Sequence, residues 1–330
     1  MTAAPDAATI PLTVIGGFLG AGKTTFLNQV LSRAEARYAV LVNDFGAVNV
    51  DASLIARHDG ETLELSNGCV CCSIGGGLIE TLIRVIDAKP AFDRILIEAS
   101  GVADPWLIAE IALVEPSLRL DTVIVLAEAQ RLPELLGDPR VGDTLAAQVR
   151  AADILVFNKA DLADEAALAR AHAAAAAIRP KLRMVETVNA ELPSSLLDFG
   201  TDFGTRERVL HTGRFRADAG LHESVFSRFL YRREGSFARA RLEEALEALP
   251  NCLLRLKGLC RMIGEPRPML VQMVGSRWSI SPAPPQAEAR WPIELVGIGT
   301  QALPGEGGLD RILDAALEPP ASVAAAGEEC

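Results

Sequence analysis

The sequence predicts an α/β protein in which a mostly parallel sheet flanked by helices is followed by a smaller C-terminal α+β domain. Three observations carry that expectation. From Leu12 to about Val188, short β-branched runs alternate with longer segments of helical spacing. The runs are continuously apolar, as strands are when both faces of a sheet are covered. Past residue 190 the alternation stops and a different pattern begins.

The first strand, "LTVIG" from Leu12, runs into the glycine-rich "GGFLGAGKTTFLN", behind which apolar residues recur at helical spacing. "YAVLVN", "RILIEA", "DTVIVLA" and "DILVFN" are the later strands, and "GGGLIETLIRVI" reads as a helix ahead of "RILIEA". After "RMVETVNAELP" a polar, Gly-containing stretch with no sustained period reads as a linker. Beyond it "ESVFSRFLYR" alternates like a strand and "FARARLEEALEAL" like an amphipathic helix. "LLRLKGLC", "PMLVQMVGS" and "PIELVGIG" are further strands before a helix at "LDRILDAAL". The expected organisation is a flexible N-terminus over 1–10, the α/β domain over 11–190, the linker over 191–220, the α+β domain over 221–318 and a disordered Pro/Ala/Glu-rich tail over 319–330.

Charge and thiol usage narrow the function. With 32 basic and 43 acidic residues the net charge is -11, which repels nucleic acid and anionic membranes, so neither is an expected partner. The N-terminus has no basic region ahead of an apolar run, and no stretch approaches eighteen uninterrupted apolar residues, which predicts a cytoplasmic protein. In that reducing compartment, three thiols within four positions, Cys69, Cys71 and Cys72 of "NGCVCCS", point to metal or redox chemistry before a structural disulfide.

Gly17 to Thr24 fits G-x-x-x-x-G-K-T between a strand and a helix. Glycines such as Gly17, Gly20 and Gly22, with Ala21 and Thr25, let successive backbone N–H groups and a helix N-terminus face phosphate oxygens. Lys23 then reaches the β/γ-phosphates and the Thr24 hydroxyl can ligate magnesium. Further on, "NKAD" closes the "DILVFN" strand with Asn158, Lys159 and Asp161. A carboxylate at Asp161 accepts hydrogen bonds from guanine N1–H and the 2-amino group, a pattern adenine does not offer. Such charge-assisted bonds contribute roughly 1.5–3 kcal/mol each. Between the two motifs, "RILIEASGVADP" ends a strand at Glu98, the expected magnesium-side carboxylate, and continues to Gly101, whose N–H can sense the γ-phosphate. Lys23, Thr24 and Glu98 are thus the candidate catalytic residues, with GTP and magnesium as cofactors.

In the order "GGFLGAGKTT", "VNDFGAVNVD", "NGCVCC", "IEASGVADP", "NKAD", and on through "LLRLKGLC" and "PIELVGIG", the chain resembles the CobW family of metal-trafficking GTPases. The resemblance implies a P-loop GTPase domain whose C-x-C-C thiolates, here Cys69, Cys71 and Cys72, bind a transition metal, and slow GTP hydrolysis that controls its transfer to a client metalloprotein. Sulfur ligands favour zinc, with cobalt also tolerated. The sequence departs from the family at Asp44, shorter than the usual Glu, and at Ala47, which carries no ligand. A histidine-rich stretch is absent, since His58, His172, His211 and His222 are scattered and read as ordinary residues.

The readings that compete with zinc delivery are a GTPase maturing a cobalt or iron enzyme, a GTP-dependent metal sensor without a delivery role, and a thiol redox switch. Cys252 and Cys260 read as buried small hydrophobes, Cys330 as part of the tail, and Trp278 and Trp291 as core or client surface.

Overall fold

A computed structural model describes residues 9–32, 37–42, 62–64, 76–193, 196, 226–283, 292–304 and 307–318. The chain divides into two compact units between Asp198 and Phe199. The first contains β1 (Ile10–Gly17), α1 (Lys23–Ser32), β2 (Tyr38–Val42), β3 (Thr62–Glu64), α2 (Gly76–Asp87), β4 (Arg94–Glu98) and α3 (Pro105–Val114). It continues with β5 (Leu118–Glu128), α4 (Leu132–Gly137), α5 (Gly142–Ala151), β6 (Ile154–Asn158), α6 (Glu165–Ile178) and β7 (Arg183–Glu186). Among the described residues its seven strands pair in the order β3-β2-β4-β1-β5-β6-β7, every pair parallel. β2, β4 and β6 are buried at every position, the result of helices covering the sheet. Leu82 and Val85 of α2, Ile108 and Ala112 of α3, Leu145 and Val149 of α5 and Ala171 and Ala175 of α6 share one core cluster with Leu12, Val14, Ile95, Ile97 and Val123 of the strands.

Local chemistry sets where elements start. Asp104 caps α3 by accepting from the Trp106 N–H at 2.9 Å, and Pro105 occupies the first turn, where no N–H is needed. Asp164 does the same for α6, accepting from Ala167 N–H at 2.7 Å. In the sheet, the β1–β5 register slips after Leu12: it pairs with Leu120, but Thr13 pairs with Thr122, leaving Asp121 as an extra residue. The bulge turns the Asp121 carboxylate to the Arg94 guanidinium of β4, 2.6 Å away, both buried.

The second unit carries β8 (Phe226–Arg233), α7 (Arg239–Ala248), β9 (Leu253–Cys260), β10 (Met269–Val274), β11 (Arg277–Pro282), β12 (Ile293–Thr300) and α8 (Gly308–Asp314). Its strands pair antiparallel in the order β11-β10-β9-β12-β8. α7 and α8 bury Leu242, Leu246, Leu309 and Leu313 with Tyr231, Leu256, Val271 and Leu295 of the sheet, and Trp278 packs against this core. The Tyr231 hydroxyl donates to Asp314 at 2.9 Å, which Arg233 also grips.

Three strands escape the sequence reading. β3 and β7 have only three and four residues, too short for a period to emerge, and β11 carries just two large apolar residues, Trp278 and Ile280. Cys260 is fully buried, and burial pushes its thiol up to about 12, so it is an inert hydrophobe. Cys252 is only half-buried, a correction to the expectation, because it sits in the turn before β9 and not on a strand.

Candidate nucleotide site

The predicted phosphate loop joins β1 to α1 at the C-terminal edge of the parallel sheet, the edge where ligands bind in open α/β folds. Gly17 and Gly22 have φ of +132° and +103°, conformations that L side chains rarely adopt. Space constrains them too. A Cβ at Gly17 would lie 2.3 Å from the Leu126 carbonyl oxygen, and one at Gly22 would lie 2.3 Å from Asn158 Nδ2. Lys23 opens α1 almost wholly buried, and its Nζ donates to the Gly17 carbonyl at 3.0 Å and more loosely to that of Phe18 at 3.4 Å. The same ammonium lies 4.0 Å from the buried Glu98 carboxylate at the end of β4. Thr24 is half-buried in the first turn and Thr25 exposed beside it.

The segment after Glu98 is held against this loop. Gly101 lies so close to Leu19 that a Cβ there would stand 3.0 Å from the Leu19 amide nitrogen. From α5, the buried Gln148 amide donates to the carbonyls of Gly101 and Ala103 at 3.1 and 3.0 Å. No sequence signal marks Gln148; its role exists only across 47 residues of separation.

Asn158, at the end of β6, joins three segments. Its Nδ2 donates to the Ala21 carbonyl of the phosphate loop at 2.9 Å, and its Oδ1 accepts from the Ala190 N–H at 2.7 Å. Lys159 follows with φ of +57° and pairs with Glu128 of β5 at 3.1 Å. Asp161 is exposed in the short helical turn Ala160–Leu162. The loop after β7 completes the cluster and was not singled out from the sequence. Thr187 N–H donates to the Phe157 carbonyl, and Asn189 and Ala190 both hold left-handed backbones, φ +53° and +56°. Gln29 of α1 donates to the Asn189 carbonyl at 2.7 Å. The available signal was the Asn of "VNA" directly after a strand, since Asn tolerates that backbone better than most residues.

Gly17, Gly20, Ala21, Gly22, Lys23, Thr24, Thr25, Glu98, Gly101, Asn158, Lys159 and Asp161 therefore all fall on the ends of β1, β4 and β6, the turns that follow them or the first turn of α1. Cys69, Cys71, Cys72, Asp44, Ala47, His58, His211, His222, Trp291 and Cys330 lie outside the described residues. His172 contacts Glu186 at 2.7 Å and the edge of Phe157, an ordinary packing position. Among the described residues no group of three or more His, Cys, Asp or Glu side chains could hold a metal ion. No described helix is long and apolar enough to cross a membrane.

Fold and site define a P-loop GTPase. Residues 11–186 match the family model described as "CobW/HypB/UreG, nucleotide-binding domain", and residues 226–317 match the "Cobalamin synthesis protein cobW C-terminal domain". The protein named zinc chaperone CobW in Pseudomonas aeruginosa is 31% identical over 313 residues, covering 82% of each chain. Zinc chaperone YjiA of Escherichia coli is 31% identical over 310 residues, covering 90% of this chain and 96% of that one. Zinc-regulated GTPase metalloprotein activator 1 of Dictyostelium discoideum is 28% identical over 305 residues, covering 78% of this chain and 64% of its own. The chain belongs to the CobW family.

Proposed function

We propose that this protein is a GTP-hydrolysing metallochaperone that binds zinc through the thiolates of Cys69, Cys71 and Cys72 and couples its release to a client metalloprotein to the GTP cycle. The names of the relatives support zinc as cargo, and one register observation supports the coupling. Val42 of β2 pairs with both Glu64 of β3 and Glu98 of β4, so those two carboxylate-bearing strand ends are level at the nucleotide edge. The chain leaves β3 at Glu64, five positions before Cys69 (69 − 64), and five residues span at most roughly 18 Å. It returns through α2, whose first residue is four positions after Cys72 (76 − 72), and from α2 into β4 and Glu98.

In this reading the phosphates of GTP lie on the N–H groups of Gly20 to Thr25, and Lys23 exchanges the carbonyls of Gly17 and Phe18 for β/γ-phosphate oxygens. The Thr24 hydroxyl and Glu98 carboxylate suit magnesium, a hard ion that takes oxygen ligands, and would hold it; bound there, it neutralises phosphate charge. Gly101, fixed by Gln148 and seated on Leu19, is the point at which the γ-phosphate is sensed. Asn158 aligns the base site and Asp161 reads guanine.

Linkage makes the coupling reciprocal, and a typical coupling free energy of 1–3 kcal/mol corresponds to about 5- to 150-fold in affinity. The anaerobically purified chain is expected to bind zinc at least about tenfold more tightly with a non-hydrolysable GTP analogue than with GDP. Equal zinc affinity in the two states would sink the proposal.

Asp161→Asn tests the base assignment separately. The amide keeps one acceptor and gains a donor, which matches xanthine, with its C2 carbonyl, better than guanine, with its 2-amino group. GTP affinity is expected to fall roughly 10- to 100-fold, the loss of a charge-assisted pair, while XTP affinity rises. Unchanged preference in competition binding would remove Asp161 from the base site.

A further inference from the structure

The first unit leaves large apolar side chains exposed on its helical face. β3 to β4, through α2, and β4 to β5, through α3, both cross the sheet in the same direction, so right-handed crossovers place the two helices side by side on one face. Both bury their inner rows, Leu78, Leu82 and Val85 on α2 and Ile108, Ala109 and Ala112 on α3, in the same core cluster. The helices run parallel. The row one residue beyond α2's buried row, Ile79, Ile83 and Ile86, therefore faces the row one residue before α3's buried row, Leu107, Ile111 and Val114.

Ile86 and Ile111 are half-buried against the core cluster, and the other four residues of these rows are not covered. Ile79, Ile83, Leu107 and Val114 keep 44, 53, 41 and 79% of their surface exposed. Scattered exposed hydrophobics are ordinary, whereas two facing rows on neighbouring helices form a continuous strip of the kind that marks an interaction surface. The crests are acidic: Glu80 and Asp87 on α2 and Glu110 on α3 are exposed, with Arg84 the one cation, set on the far side of α2.

We propose that the α2–α3 groove is a docking site for an amphipathic helix of a partner protein, one whose apolar stripe is flanked by basic residues. Two parallel helices with an apolar seam between them present the ridges that a third helix packs against through i, i+3, i+4 and i+7 anchors. The acidic crests select basic flanks and repel an anionic membrane, which separates a partner helix from a lipid surface. α2 begins just after the cysteine motif and α3 just after the Gly101 segment, so occupancy of the groove bears on two helices rooted at the nucleotide edge. The docking proposal does not depend on which metal the thiols carry.

The test uses the full chain and a fluorescent helical peptide with leucines at i, i+3, i+4 and i+7 and flanking arginines. Ile83→Glu and Leu107→Glu are expected to weaken peptide binding at least about tenfold, equivalent to 1.4 kcal/mol, while leaving GTP binding unchanged. Leu162→Glu, at an exposed leucine outside the groove, should leave peptide affinity unchanged, and a peptide with glutamates in place of arginines should bind at least about tenfold more weakly. Should either groove variant misfold, the surface pair Glu80→Lys/Glu110→Lys serves instead and is expected to weaken the arginine peptide. Equal affinity for all variants, or for both peptides, overturns the proposal. So does a concentration-dependent dimer in sedimentation that Ile83→Glu abolishes and the peptide does not compete, because the occupant is then a second copy of this chain.

Discussion

Asn158→Ala is expected to raise the dissociation constant for GTP roughly 100-fold, about 2.7 kcal/mol, and to lower the thermal stability of the nucleotide-free protein as well. The side chain is buried, at 2% exposure. Truncation removes the partner of the Ala21 carbonyl and of the Ala190 N–H at once. Each buried polar group left unsatisfied costs about 1–3 kcal/mol. Ala190 and Asn189 hold left-handed backbones that persist only when their surroundings enforce them, and Ala lacks the tolerance of Asn for that region. Losing the Asn158 anchor therefore releases the loop after β7, and Gln29 on the Asn189 carbonyl is left as its link to α1 among the side-chain bonds described here. Binding of a fluorescent GDP or GTP derivative, alongside thermal unfolding with and without nucleotide, separates the two effects. A change below threefold in affinity would mean that the three segments hold their places without Asn158.

Asp121→Ala should destabilise the first unit by about 3–5 kcal/mol, because it takes away the carboxylate that a buried guanidinium pairs with. Arg94 and Asp121 are 5% and 4% exposed, with 2.6 Å between Nη1 and Oδ2. For a unit of this size the loss corresponds to roughly 10 °C in Tm. Arg119 lies 3.4 Å from the other carboxylate oxygen and is more exposed than Arg94. A double replacement, Arg94→Met with Asp121→Leu, is expected to recover most of the stability, since an apolar pair of similar volume avoids the desolvation cost altogether. Calorimetry of the single and double variants checks both statements. A loss under about 1 kcal/mol for Asp121→Ala would show that water reaches Arg94.

The two substitutions probe opposite edges of one sheet, and their legibility differs for that reason. Asn158 belongs to "NKAD", a contiguous motif at the end of an apolar run, so its position at the site could be read without coordinates. Asp121 looks like a polar residue opening the run "DTVIVLA", and nothing local says that a register slip opposite Leu12 and Thr13 turns it toward β4. Gln148 and the Asn189–Ala190 turn escaped for the same reason: each acts on a segment distant in sequence. The cysteine motif was legible as a spacing, whereas the level pairing of Glu64, Val42 and Glu98 is a matter of strand register.

By itself the sequence determined the alternation of buried strands with helices, the phosphate-loop glycines, the "NKAD" tetrapeptide at a strand end and the tight thiol cluster. These depend on periodicity and on contiguous residues, where the chemistry is carried by neighbours along the chain. Only the tertiary structure decided that Asn158 ties the phosphate loop to Ala190, that Asp121 neutralises Arg94, and that Ile83 of α2 and Leu107 of α3 stay exposed. Those outcomes depend on strand order, register and crossover hand, which bring together groups that no local pattern relates.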